Sequence, residues 1–115
     1  MKEIKLDIFN ITIRVFNDLN NALQWVKDNH PSNTYELDLL KSCEGLTVLF
    51  DDDPKFFIYF KPESLDHELI HLTWFIIDYV GIKINQENHE IQAYLFEHLK
   101  KLILNKFIWI GRAHV

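Results

Sequence analysis

The chain contains a single cysteine, Cys43, which excludes an internal disulfide framework and any cysteine-rich zinc ribbon. Glycine and proline are scarce, three of each, so a collagen-like or Pro/Gly-rich disordered chain is excluded too. Basic residues are in the minority, 12 Lys and Arg against 17 Asp and Glu. The formal charge of −5 argues against a protein whose main business is coating nucleic acid, which needs a basic face. Apolar runs such as 74–77 are far too short to span a bilayer. Residues 1–7 alternate charged and apolar side chains without an apolar h-region, so neither a secretory leader nor membrane association is expected. Together these absences point to a reducing, aqueous compartment and a cytoplasmic protein.

What is present suits one compact domain. The chain has 115 residues, 48% of them hydrophobic, with nine Phe, four Tyr and three Trp to fill a core without staples. A single domain over 1–115 is expected, with a tail over 105–115 that adds an edge strand, docks on the core or meets a partner.

Hydrophobic periodicity gives the elements. Ile4, Leu6 and Ile8 alternate, as do Ile11, Ile13 and Val15, with a slip of phase near Asn10. That pattern predicts one bulged strand or two strands joined by a tight turn at Phe9-Asn10. Residues 18–29 read as a helix capped by Asp18 or Asn20 and stopped before Pro31. Residues 32–44 fit either a strand or a short helix. Leu46–Phe50 and Phe56–Phe60 read as a hairpin around Asp51-Asp52-Asp53-Pro54-Lys55. The three aspartates lack the spacing and closing Glu of a calcium loop. After Lys61-Pro62 the period changes to 3.6. A helix over 64–80 is predicted, with Ser64 as N-cap and Gly81 as a left-handed C-cap. A second is predicted from about Glu87 to Asn105. The fold class is therefore α+β: a small antiparallel sheet packed against two or three helices.

One stretch carries chemistry. His67-Glu68-Leu69-Ile70-His71 is an HExxH sequence inside the predicted helix. Residues i and i+4 project from one helical face roughly 6 Å apart along the axis, so two imidazoles there can converge on one Zn²⁺. Glu68 is rotated by about 100° and stays free to take a proton from a metal-activated water. In a chain of this composition the pattern arises by chance roughly once in fifty, so its setting one turn into a capped helix carries much of the weight. A third ligand decides the subclass. Trp74 and Ile77 stand where a metzincin needs Gly and His or Asp. A gluzincin needs a Glu on the next helix, and Glu90 lies nineteen residues after His71. Asp78, Glu87, His89 and Glu97 are the alternatives, and Asp78 also suits a partner holding an imidazole N–H.

These residues, with Asp78-Tyr79-Val80-Gly81-Ile82 and Asn88-His89-Glu90-Ile91-Gln92-Ala93-Tyr94, resemble the zincin-like metalloprotease fold in its small gluzincin form. They also resemble small HExxH proteins encoded by phages and prophages. The resemblance covers about 56–104. It implies zinc held by His67, His71 and Glu90, with Glu68 as general base. Tyr94 and His89 are its candidates for stabilising an oxyanion. It implies a peptide or protein substrate that pairs with the strand preceding the motif helix, taken as an edge strand. Larger gluzincins carry a second domain that completes the cleft, and the sequence given has no stretch for one. The expected function is thus a zinc-dependent metallopeptidase-like protein. Two alternatives stand beside it. One is a non-catalytic phage or mobile-element protein that uses the scaffold for binding, assembly or homo-oligomer formation. The other is a plain α+β interaction domain without metal.

Overall fold

A computed structural model describes residues 1–107. Strand β1 (Lys2–Leu6) and strand β2 (Ile11–Phe16) pair antiparallel, Lys2 opposite Val15 and Leu6 opposite Ile11. The phase slip between them is a 3₁₀ turn over Asp7–Phe9 that closes on Asn10. Asn10 sits in the left-handed region (φ 53°, ψ 46°), which Asn tolerates better than most residues, and its N–H bonds to the Asp7 carbonyl at 3.1 Å. The alternation therefore belongs to two strands, not one bulged strand.

Helix α1 (Leu19–Asn29) begins where Asp18 accepts a 2.9 Å hydrogen bond from the Asn21 N–H. The ambiguous stretch folds as helix α2 (Thr34–Ser42), with Leu40 fully buried. Strands β3 (Gly45–Leu49) and β4 (Phe56–Phe60) form the expected antiparallel hairpin. Helix α3 (Leu65–Val80) ends on Gly81 at φ 80°, a left-handed cap that closes on the carbonyls of Ile77 and Asp78. Helix α4 (Glu90–Phe107) starts three residues later than the periodicity suggests. The delay has a local cause. Asn85 Oδ1 accepts from the N–H groups of Glu87 and Asn88, and Asn88 Oδ1 accepts from Asn85 N–H, so side-chain turns occupy donors before the helix can begin.

The four strands lie in the order β1-β2-β4-β3. The class is α+β as expected, with two differences in detail. The sheet is mixed, because β2 and β4 run parallel, and four helices pack on it. Physically, α1, α2 and β3 carry the chain away from β2 and around, so that β4 returns beside β2 in the same direction. This places β4 in the interior, paired on both sides and buried at all five positions. The expectation that the strand before the motif helix forms an edge is overturned: β4 has no free side, and the edge strand beside α3 is β3.

Alternation along β4 separates two cores. Phe56, Ile58 and Phe60 face Leu65, Leu69, Leu72 and Ile76 of α3 and Leu95, Leu99 and Ile103 of α4. Phe57 and Tyr59 face Phe16, Ala22, Val26 and Leu40 under α1 and α2. Each such buried side chain contributes about 1.5–3 kcal/mol by leaving water. No described helix is long and apolar enough to cross a membrane. The apolar tail beyond Phe107, with Trp109, lies outside the described residues.

Candidate metal centre

The motif occupies the first two turns of α3, whose inward stripe of Leu65, Leu69, Leu72 and Ile76 fixes which way the helix faces. That stripe turns His67 and His71 outward, and both are exposed. Their Nε2 atoms lie 3.3 Å apart. Two ligands bound at about 2.0–2.1 Å to a tetrahedral ion stand about 3.3–3.4 Å from each other, so the two imidazoles already span one edge of a zinc tetrahedron. The same spacing also admits a hydrogen bond in which one ring N–H donates to the other ring's lone pair. His71 stacks beyond this on Phe75, with centroids 6.4 Å apart.

Glu68 turns the other way. It is 6% exposed and lies beneath β3. Thr47 Oγ1, on the same strand, stands 2.8 Å from Glu68 Oε1 and 3.1 Å from the Glu68 carbonyl, its one proton able to go to either. A buried carboxyl group without such a partner is costly, so the contact satisfies what burial would otherwise penalise. Gly45 makes the approach possible. A Cβ there would meet Glu68 Cγ at 2.8 Å, Glu68 Oε2 at 2.9 Å and Ser64 Oγ at 2.9 Å. Ser64 precedes α3, as expected of its N-cap, but its side chain makes no cap to the helix. Its hydroxyl instead lies 3.0 Å from the Glu44 carbonyl and 3.2 Å from the Lys61 carbonyl, its one proton able to go to either, and accepts from the Lys61 N–H, tying the start of α3 to the start of β3.

The remaining candidates lie on or near α4. An ion pair of 3.0 Å joins Asp66 to Lys100, while Ile70 and Thr73 share a groove with Ala93 and Phe96. The two helices are therefore antiparallel, with Asp66 level with Lys100 and Ile76 level with Glu90. Glu90, the exposed first residue of α4, thus stands about five residues past His71, or roughly 7–8 Å along the axis. The structure brings His67 and His71 together and turns the Glu68 side chain away from them, under β3. It does not draw Glu90 into the set, and no three His, Cys, Asp or Glu among the described residues gather closely enough to hold an ion. Tyr94 is 66% exposed on α4. His89 and Glu97 line the α3–α4 groove of about 500 Å³. Asp78 is exposed, and its carbonyl receives the N–H of Gly81. Sequence reasoning missed Thr47 and Gly45. The only signal they give is a small residue and a hydroxyl at alternate positions of a strand, on one face.

No family model, curated protein or solved structure matches this chain.

Proposed function

We propose that this chain is a zinc-dependent metallopeptidase-like protein acting on peptides in the cytoplasm. The observation that supports the reading is the 3.3 Å separation of the His67 and His71 Nε2 atoms, on a helix whose Glu68 is held against an edge strand. In this reading His67 and His71 would hold the ion, with Glu90 the candidate third ligand. Zinc there would supply a Lewis acid and a water of lowered pKa. Glu68 would be the residue that accepts a proton from that water and delivers it to the leaving amine. A substrate in extended form adds to the open side of β3, which pairs only with β4 among the described strands. Cys43, free and half-buried, suits a reducing compartment.

A second reading is favoured by the offset of Glu90 and the burial of Glu68. In it the chain is a phage or mobile-element binding protein whose metal, if bound, is structural. Metal analysis of protein purified without added zinc, joined to a peptide-library digest read by mass spectrometry, separates the two. The peptidase reading expects about one zinc per chain, cleavage by the wild type, and zinc without cleavage in Glu68→Gln. Zinc with no cleavage by the wild type supports the binding protein instead. Protein that holds no zinc in either form defeats the peptidase reading and any structural zinc, and leaves only a metal-free binding protein.

A further inference from the structure

The geometry points to Thr47 and Gly45 of β3 as positioning residues for the Glu68 carboxylate, an inference that rests on the peptidase reading of the same site. A general base acts only from a fixed place, and a displacement of about 1 Å from it costs about 10²-fold in rate. Glu68 has several freely rotating bonds, and on an exposed helix face nothing would hold it. Here two features of one strand hold it. The Oγ1 of Thr47, a residue only 9% exposed, meets Oε1 at 2.8 Å and fixes one oxygen. Gly45, two residues earlier on the same face, leaves the room that the side chain's Cγ and second oxygen occupy, since a Cβ would lie within 2.8 and 2.9 Å of them. Strand β3 is in turn held to α3, by the Ser64 hydroxyl on the Glu44 carbonyl at 3.0 Å. The edge strand thus sets the direction of the base.

The two residues can be disturbed in independent ways. Thr47→Val removes the hydroxyl and keeps the shape, Thr47→Ser keeps the hydroxyl, and Gly45→Ala pushes on the carboxylate while leaving the Thr47 hydroxyl in place. With ¹³C-labelled glutamate, the Glu68 carboxyl resonance is assigned by its disappearance in Glu68→Gln. It is expected to move in Thr47→Val and Gly45→Ala and to stay in Thr47→Ser. In peptide cleavage, kcat falls by about 10²-fold in Thr47→Val and Gly45→Ala, while KM and zinc content hold and Thr47→Ser retains the wild-type rate. Cleavage at full kcat by Thr47→Val, with the resonance unmoved, overturns the positioning role and leaves the peptidase reading standing. A wild type that cleaves no peptide defeats the peptidase reading, and the resonance alone then decides. Movement in Thr47→Val but not in Thr47→Ser upholds the hold on Glu68, and no movement in either overturns it. Gly45→Ala keeps the test open should Thr47→Val fail to fold.

Discussion

Asp66 and Lys100 meet at 3.0 Å across the α3–α4 seam, and that pairing marks the register which sets Glu90 beyond the imidazoles. The pair is largely exposed and contributes little stability itself. The register is held by Leu69, Leu72, Leu95 and Leu99 packed beneath it. Glu90→Ala measures what that offset means. If Glu90 is the third ligand, zinc affinity falls by more than the about 10–100-fold lost when outer partners of a metal site are removed. Competition against a chelating dye reads the change, and unchanged affinity removes Glu90 from the ligand set.

Zinc should stabilise the folded chain through the same two rings. At free zinc about 100 times the dissociation constant, the added stability is about 2.7 kcal/mol. A thermal melt with and without zinc reads it as a rise in Tm. His67→Ala and His71→Ala each abolish the rise, while His98→Ala, on the exposed side of α4, retains it. An equal rise in all four proteins would place the metal elsewhere.

Leu72 is fully buried between α3 and the sheet. Leu72→Ala removes its packing and leaves a cavity, costing about 2–5 kcal/mol. Urea unfolding of the variant should show a lower midpoint with an unchanged slope. A loss under about 1.5 kcal/mol, the low end of what burying a Leu contributes, would mean that α3 does not pack as described.

His30 closes the second core from below. Its Nε2–H donates to the Pro54 carbonyl at 2.7 Å, and its ring stacks on Phe50 with centroids 3.9 Å apart and planes 11° from parallel. His30→Phe keeps the stacking and leaves the carbonyl unpaired, costing about 1–3 kcal/mol. His30→Ala loses both and costs more. The difference between the two variants in urea unfolding isolates the ring contact, and identical midpoints would show that the stacking contributes nothing.

Local patterning made much of the fold legible. Asp18 before an amphipathic stretch, the aspartate-rich turn between two aromatic strands, and Gly81 after a run of helical spacing each act within a few residues, and each element formed where expected. Residues 32–44 were undecided because Tyr35, Leu37, Leu39 and Leu40 satisfy both periods. Burial of Leu40 beside Phe16 and Val26 resolves them as a helix. Period 2 reports that a strand exists and not which strand lies beside it, so the parallel pairing of β2 with β4 had no local sign. The site divides in the same way. His67 and His71 were legible because four residues on a helix fix their proximity. Glu90 was not, since nineteen residues of sequence do not determine how two helices slide along each other. Thr47 reaches Glu68 across 21 positions, and no spacing rule connects a strand hydroxyl to a helix carboxylate.

The partition that β4 draws through the molecule has a practical side. Phe57 and Tyr59 look one way and Phe56, Ile58 and Phe60 the other, so the aromatic layer beneath α1 and α2 lies across the sheet from the histidine helix. Strand β3 joins the two sides, because its Leu46 and Val48 pack on that layer while Thr47 holds Glu68. The outer surfaces of α1 and α2 remain the place where fluorophores, affinity handles or grafted loops can be installed without disturbing the imidazole face.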